Sequence, residues 1–227
     1  MKLKLIERKD EAPSVESFIF EPQAELSWKA GQFFHYVLHH EPSDVRGSDR
    51  WFTVASAPSE KHAMITTRFD DEGSSFKRAL KALPIGESIE ISDVDGDFTI
   101  DDPSAEYVFI AGGIGVTPFR SILKDAEAQG AALKVTLLYS NRDEHIPYRA
   151  EFDALTQKNP NFAIHYVTGG RIDEDCIRKF VPDLAKPLFY LSGPEPMVES
   201  FGKKLTDMGV PAAHLKQDWF PGYGIDA

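Results

Sequence analysis

Close to residue 103 the chain changes its hydrophobic rhythm, and this change limits the folds open to it more than any other feature. Before that point the apolar residues come in short β-prone runs broken by Gly, Pro and Asp. These are Val15 to Phe20, Phe33 to His39, Trp51 to Ser56, Ala63 to Phe69 and Ser88 to Ser92, preceded by an alternating Met1 to Lys9. Such runs predict a small antiparallel barrel, interrupted by one helix over Ser74 to Leu83, where Phe76, Leu80 and Leu83 recur at helical spacing. From Tyr107 strands and helices alternate. Tyr107 to Ala111, Val135 to Tyr139, Phe162 to Val167 and Leu188 to Leu191 are too continuously apolar for strands with one wet face, as expected of a parallel sheet covered on both sides. Thr117 to Ala128, Arg149 to Gln157 and Met197 to Met208 read as the intervening helices. Two domains are expected, 1–102 and 103–227, divided at Asp101-Asp102-Pro103-Ser104, where proline blocks continuation of the preceding strand.

Charge and cysteine content narrow the chemistry. The 25 basic and 36 acidic residues give a net charge of -11, which disfavours nucleic acid and anionic membrane surfaces as partners. A single cysteine, Cys176, leaves no internal disulfide, no four-thiolate iron-sulfur cluster and no Cys-x-x-Cys pair, so an electron carrier has to be organic or external. The amino terminus lacks the continuous apolar run of a signal peptide, and no stretch approaches the roughly eighteen apolar residues that cross a bilayer, so a cytoplasmic location is expected. His35, His39 and His40 lack acidic or cysteine neighbours at ligand spacing, and no metal site is expected. Acids around Cys176 should raise its pKa and make it a poor nucleophile.

Two segments carry chemistry. Arg50-Trp51-Phe52-Thr53-Val54-Ala55-Ser56-Ala57-Pro58 puts a cation, aromatic rings and a hydroxyl on one strand, the parts needed to hold a flavin phosphate, pack on its ring and reach its redox nitrogen. Alternation puts Arg50 and Phe52 on one face and Trp51 and Thr53 on the other. Ala111-Gly112-Gly113-Ile114-Gly115-Val116-Thr117-Pro118 is a glycine-rich turn between a strand and a helix, where small residues let the backbone approach a dinucleotide pyrophosphate. Thr117 can cap the helix that Pro118 opens.

With these two motifs in this order, the chain resembles the ferredoxin-NADP reductase superfamily over nearly its whole length. The resemblance implies an antiparallel Greek-key β-barrel for the flavin, followed by a Rossmann-like α/β parallel sheet for the nicotinamide nucleotide. FAD is the implied flavin, with FMN the second choice, and NADPH or NADH the electron donor. Carried over to this sequence, Arg50 pairs with flavin phosphate, Phe52 packs on the isoalloxazine or its ribityl arm, and Thr53 approaches N5. Gly73, Ser74 and Ser75 offer backbone N-H groups and hydroxyls to phosphate, Ser74 being equally well read as a helix cap, and one of Thr66, Thr67 and Arg68 assists at the flavin tail. Gly112, Gly113, Gly115, Thr117 and Pro118 take the dinucleotide. Ser192, Gly193, Pro194 and Met197 lie near the nicotinamide, with Ser192 where many relatives have cysteine. Ser140, Asn141 and Arg142 read the adenosine ribose, Arg142 favouring a 2'-phosphate and the adjacent Asp143 a free hydroxyl. The ending Asp218-Trp219-Phe220-Pro221-Gly222-Tyr223 brings a carboxylate and a ring beside the flavin, Trp219 and Phe220 being rivals for that place, and is expected to act as a lid.

The implied activity is hydride transfer from NAD(P)H to bound FAD, with Thr53, Ser192, Asp218 and Phe220 at the reacting centre. Electrons then pass to a separate acceptor: a ferredoxin or flavodoxin-like protein, an oxygenase component or a small molecule. Lys77, Arg78 and Lys81 on the barrel helix offer a local docking patch despite the acidic balance. A monomer or weak dimer is expected. The rival reading is a flavin-binding redox-sensing or electron-relay subunit with little turnover of its own.

Overall fold

The structure, a computed structural model, describes residues 1–70 and 73–220. Its contacts form two compact units, Met1–Thr99 with Arg120–Asp125, and Ile100–Phe119 with the chain from Ala126.

The first unit is a curled antiparallel sheet of six strands in the order β4-β3-β6-β1-β2-β5. The strands are β1 (Lys2–Ala12), β2 (Val15–Pro22), β3 (Phe33–Val37), β4 (Asp49–Thr53), β5 (Ala63–Arg68) and β6 (Ser88–Asp95). Alternation explains the burial: Leu3 and Leu5 on β1, Phe18 and Phe20 on β2, and Phe34 and Tyr36 on β3 all turn into one core. Just beyond β4, Val54 N-H donates to Gln32 O at 3.0 Å and Ala55 N-H to Met64 O at 2.8 Å. The second bond joins the segment after one edge strand to the other edge strand, β5, and so curls the sheet toward a barrel. β4 ends at Thr53 and not at Ser56, because these bonds turn the backbone away from β3 toward β5. Helix α1 (Ser75–Ala82) starts at Ser74, whose side chain accepts Lys77 N-H, and buries Phe76 and Leu80.

The second unit is a parallel five-stranded sheet, β11-β10-β7-β8-β9. It comprises β7 (Glu106–Gly112), α2 (Thr117–Ala128), β8 (Lys134–Asn141), α3 (Arg149–Lys158), β9 (Phe162–Thr168), α4 (Glu174–Phe180), β10 (Leu188–Pro194), α5 (Glu195–Asp207) and β11 (Leu215–Phe220). The chain leaves β7 toward β8 and β9, then returns to lay β10 and β11 on the other side, so the strand order reverses between β7 and β10. In open parallel sheets ligands bind at the carboxyl ends of the strands that flank such a reversal. α5 starts at Glu195, two residues ahead of the expected Met197, since Pro196 is well placed in a first helical turn.

Two elements were not foreseen. α4 is short, and its periodicity is masked by Asp173-Glu174-Asp175; its start is fixed by Asp173, whose side chain accepts Cys176 N-H at 2.8 Å. Leu215–Phe220, whose last residues Asp218 to Phe220 read in the sequence as the start of a terminal lid, is the edge strand β11, paired with β10 from Phe189↔Leu215 to Pro194↔Phe220. Among the described residues no helix is long and apolar enough to cross a membrane.

Candidate functional site

In the first unit, β4 presents the motif residues as alternation requires. Arg50 lies 5.6 Å over the Phe76 ring, and Phe52 packs at 5.7 Å from Phe76 and 6.1 Å from Tyr36, so Arg50 and Phe52 share a face with the start of α1. Trp51 is about half exposed on the other face and stacks on His35 at 4.5 Å. Thr53 is buried, and its Oγ1 has no hydrogen-bond partner within the protein. A buried hydroxyl without a partner costs stability and marks a place where a ligand atom is expected.

Arg50 is held by its own loop. Its Nη1 donates to the carbonyls of Arg46 at 2.8 Å and Gly47 at 3.2 Å, and its Nη2 to Asp44 Oδ1 at 3.4 Å. Asp44 Oδ2 in turn accepts Ser75 N-H at 2.8 Å at the amino end of α1. Arg50 and Ser75, expected on flavin phosphate, are thus brought together around one carboxylate. Ser75 Oγ accepts Asp44 N-H and meets His40 Nε2, both at 2.9 Å, while Ser74 serves as the cap of α1. The sequence reading missed Asp44, although Asp44-Val45-Arg46-Gly47 carries the signal of an Asx turn: Asp44 Oδ1 accepts Arg46 N-H at 2.9 Å and Gly47 adopts a φ of 73°.

On β5, Thr66 and Thr67 are buried and Arg68 is half-buried. Thr66 Oγ1 lies 2.7 Å from Ser17 Oγ, and the Arg68 carbonyl accepts Lys77 Nζ at 2.9 Å. The cations of the expected docking patch turn toward their own helix and its neighbours. Lys81 Nζ sits 3.3 Å from Glu16 and 4.8 Å from the Phe69 ring centre, and Arg78 Nη1 donates to the Gly73 carbonyl. His35 does have acidic company: Nε2 lies 2.7 Å from Asp49 Oδ2 and Nδ1 2.7 Å from Ser92 Oγ. Antiparallel register brings β4 and β6 to β3, a proximity that spacing along the chain does not reveal.

In the second unit the glycine turn and the Ser192 segment meet at the reversal point. Ser192 aligns with Ala111 on β7 and with Asp218 on β11. A Cβ at Gly115 would lie 2.3 Å from the Ser192 carbonyl oxygen, and one at Gly112 would lie 2.2 Å from Met197 Sδ. Gly115 requires glycine because the Ser192–Gly193 backbone already fills the space, whereas at Gly112 the Met197 side chain would have to move. Ser192 Oγ is buried without a protein partner. Gly193, also buried, packs against Met197, and Pro194 caps the carboxyl end of β10 where α5 begins. Thr117 is not the cap expected of it. It is already helical, and its hydroxyl donates back to the Ile114 carbonyl at 3.2 Å, because the tight turn Gly113–Val116 runs straight into α2, with Pro118 buried in its first turn.

At the end of β8, Ser140 is half-buried, Asn141 is buried with both side-chain polar atoms unpartnered, and Arg142 is exposed. Asp143 and Glu144 follow; Glu144 Oε1 accepts Thr168 Oγ1 at 2.6 Å. Trp219 is half exposed on β11. The Phe220 side chain and residues 221–227, with Tyr223, lie outside the described residues, as does the greater part of the expected lid. The Cys176 thiol is pushed up, as expected, first by burial and second by Asp173.

A flavin and a nicotinamide dinucleotide fit these donors. The orphaned Thr53 Oγ1 lies at the end of the aromatic-lined strand β4, and the orphaned Ser192 Oγ and Asn141 amide lie at the carboxyl ends of parallel strands beside glycines that a side chain would block. Residues 109–203 match the oxidoreductase NAD-binding domain family. The chain is 24% identical to flavohemoprotein A of Dictyostelium discoideum, over 95% of this chain and 59% of that protein. It is 27% identical to the ferredoxin reductase component of 3-ketosteroid-9-alpha-monooxygenase from Rhodococcus rhodochrous, over 93% of this chain and 62% of that protein. The chain therefore spans about three fifths of the length of these curated relatives. Among solved structures, it superposes with a TM-score of 0.81 on a ferredoxin NADP+ reductase from Neisseria gonorrhoeae with bound FAD and NADP. That pair is 18% identical, with 96% of this chain and 98% of the other covered.

Proposed function

We propose, from the fold the chain shares with a solved ferredoxin NADP+ reductase and from the match of residues 109–203 to the oxidoreductase NAD-binding domain family, that it is an NAD(P)H-dependent flavoprotein reductase of the ferredoxin-NADP reductase type. The observation that carries the reading is the pair of buried hydroxyls without protein partners, Thr53 Oγ1 and Ser192 Oγ, each at the end of the strand that presents its motif. When bound, FAD supplies the redox chemistry, accepting hydride and releasing electrons singly or in pairs. The chain's residues supply position and environment. Phe52 and Phe76 give an apolar wall, Thr53 offers a hydroxyl to the ring, and Arg50 with the α1 amino terminus answers phosphate charge. Gly112, Gly113 and Gly115 admit the dinucleotide phosphates, Ser192 offers a hydroxyl toward the nicotinamide, and Ser140, Asn141 and Arg142 receive the adenosine ribose. No side chain is required as a strong acid or base. The acceptor is separate: an oxygenase component, a ferredoxin or flavodoxin-like carrier, or a small molecule.

The test is anaerobic oxidation of NADH and of NADPH by the FAD-loaded protein with ferricyanide as acceptor. Sustained turnover with at least one nucleotide supports the reductase. FAD binding without turnover favours the redox-sensing or relay subunit, and failure to bind any flavin overturns both.

A further inference from the structure

The donors that a flavin phosphate needs are already spanned by a carboxylate of the chain itself. Asp44 Oδ2 accepts Ser75 N-H at 2.8 Å, and Oδ1 accepts Arg46 N-H at 2.9 Å and Arg50 Nη2 at 3.4 Å. The Arg46 guanidinium adds an ion pair at 3.6 Å. A cation and a helix amino terminus converging on two anionic oxygens is the arrangement that holds phosphate. The Ser75 and Arg46 N-H groups keep the Asp44 carboxyl ionised far below the usual carboxylate range, against a smaller opposing effect of burial. The same N-H cannot serve a second anion while Asp44 holds it, and a carboxylate left nearby repels phosphate.

The loop is able to yield. Glu41, Pro42, Ser43, Val45 and Arg46 are all exposed, and no residue from Glu41 to Gly47 contributes to the core. Its ties to the start of α1 include the Asp44–Ser75 bonds and, from His40 just before it, the contacts with Ser75 Oγ and with the edge of the Phe76 ring. The helix does not depend on them, because Ser74 caps it independently.

Resting on the flavin reading above, we propose that Asp44 is a tethered anion that competes with the flavin phosphate for Ser75 N-H and Arg50, so that it restrains the retention of flavins that carry a phosphate. The full chain, freed of flavin by dialysis, is titrated with FAD, FMN and riboflavin, following flavin fluorescence, as wild type, Asp44→Asn and Asp44→Ala. Asn keeps an oxygen for Ser75 N-H and removes the charge, and circular dichroism checks that both variants fold. The expected result is FAD and FMN binding tightened about tenfold in Asp44→Asn, with riboflavin, which has no phosphate, unchanged. Unchanged or weaker FAD and FMN binding overturns the proposal and leaves Asp44 as an organiser of Arg50. Equal shifts for all three flavins overturn it too, since the effect is then not one on phosphate. If neither wild type nor variants bind any flavin, the flavin reading itself fails, a result distinct from these.

Discussion

A buried hydroxyl that the protein leaves unsatisfied lowers the stability of the fold and is useful only to a ligand. Thr53 is such a group, so Thr53→Val should stabilise the flavin-free protein by about 1 kcal/mol, because a methyl of similar shape carries no desolvation cost. The same variant should slow flavin reduction in stopped flow while FAD affinity stays near that of wild type. Reduction at the wild-type rate removes Thr53 from the chemistry. Gly115 makes the opposite point. A Cβ there meets the Ser192 carbonyl at 2.3 Å, which is backbone and cannot swing aside, so Gly115→Ala should cost about 1 to 3 kcal/mol in chemical denaturation and weaken nucleotide binding. Nucleotide choice also rests on single residues. Arg142 is exposed at the end of β8 and offers a bidentate partner for a 2'-phosphate, so Arg142→Ala should penalise NADPH and leave NADH nearly untouched; equal losses make Arg142 structural.

At the scale of elements, the segment after β4 is fixed by a bidentate pair rather than by strand pairing. Arg120 Nη1 donates to Glu60 Oε2 and to the Ala55 carbonyl, both at 2.9 Å, and Nη2 donates to Glu60 Oε1 at 3.1 Å. Glu60 Oε2 also accepts Ala57 N-H at 2.7 Å, and Ser121 Oγ donates to the Ser56 carbonyl at 2.7 Å. Burial alone would raise the Glu60 pKa, but the Arg120 and Ala57 contacts together outweigh it and hold the carboxyl below its usual value. A depressed folded-state pKa contributes stability that is fully present above the unfolded value, about 4.3, and is lost as pH falls through the folded one. Glu60→Gln should therefore cost about 3 kcal/mol near neutral pH and flatten the acid limb of the stability curve below about pH 4. An acid limb identical to that of wild type would show that the pair contributes nothing. β11 is an element whose sequence suggested another role. Its pairing with β10 makes Leu215 to Phe220 part of the sheet, and any lid action falls to Trp219 and the residues beyond it.

Across the whole molecule, each unit has its own hydrophobic core and its own group of unpartnered polar atoms, so each ligand should stabilise the unit that holds it. FAD at about a hundredfold over its Kd should add about 2.7 kcal/mol, which for a chain of this size raises the Tm by about 5 to 10 °C. Scanning calorimetry with FAD, and separately with NADP+, reads this directly. No shift with FAD beside a clear shift with NADP+ would leave the second unit as the only ligand site.

The sequence by itself determined the two architectures, because the period of apolar residues differs between a half-wet antiparallel strand and a fully covered parallel one, and each period is local. It also marked Gly115 in the turn after β7, since backbone that must approach another strand closely tolerates only glycine. Tertiary structure alone decided what depends on contacts distant along the chain. Sheet register gave His35 its acids across strands, and pairing with β10 made a strand of the residues before the terminus. Folding of the β3–β4 loop put the Asp44 carboxylate between Arg50 and Ser75. Spacing says which residues share a face of one element, but not which residues thirty or sixty positions away will meet them.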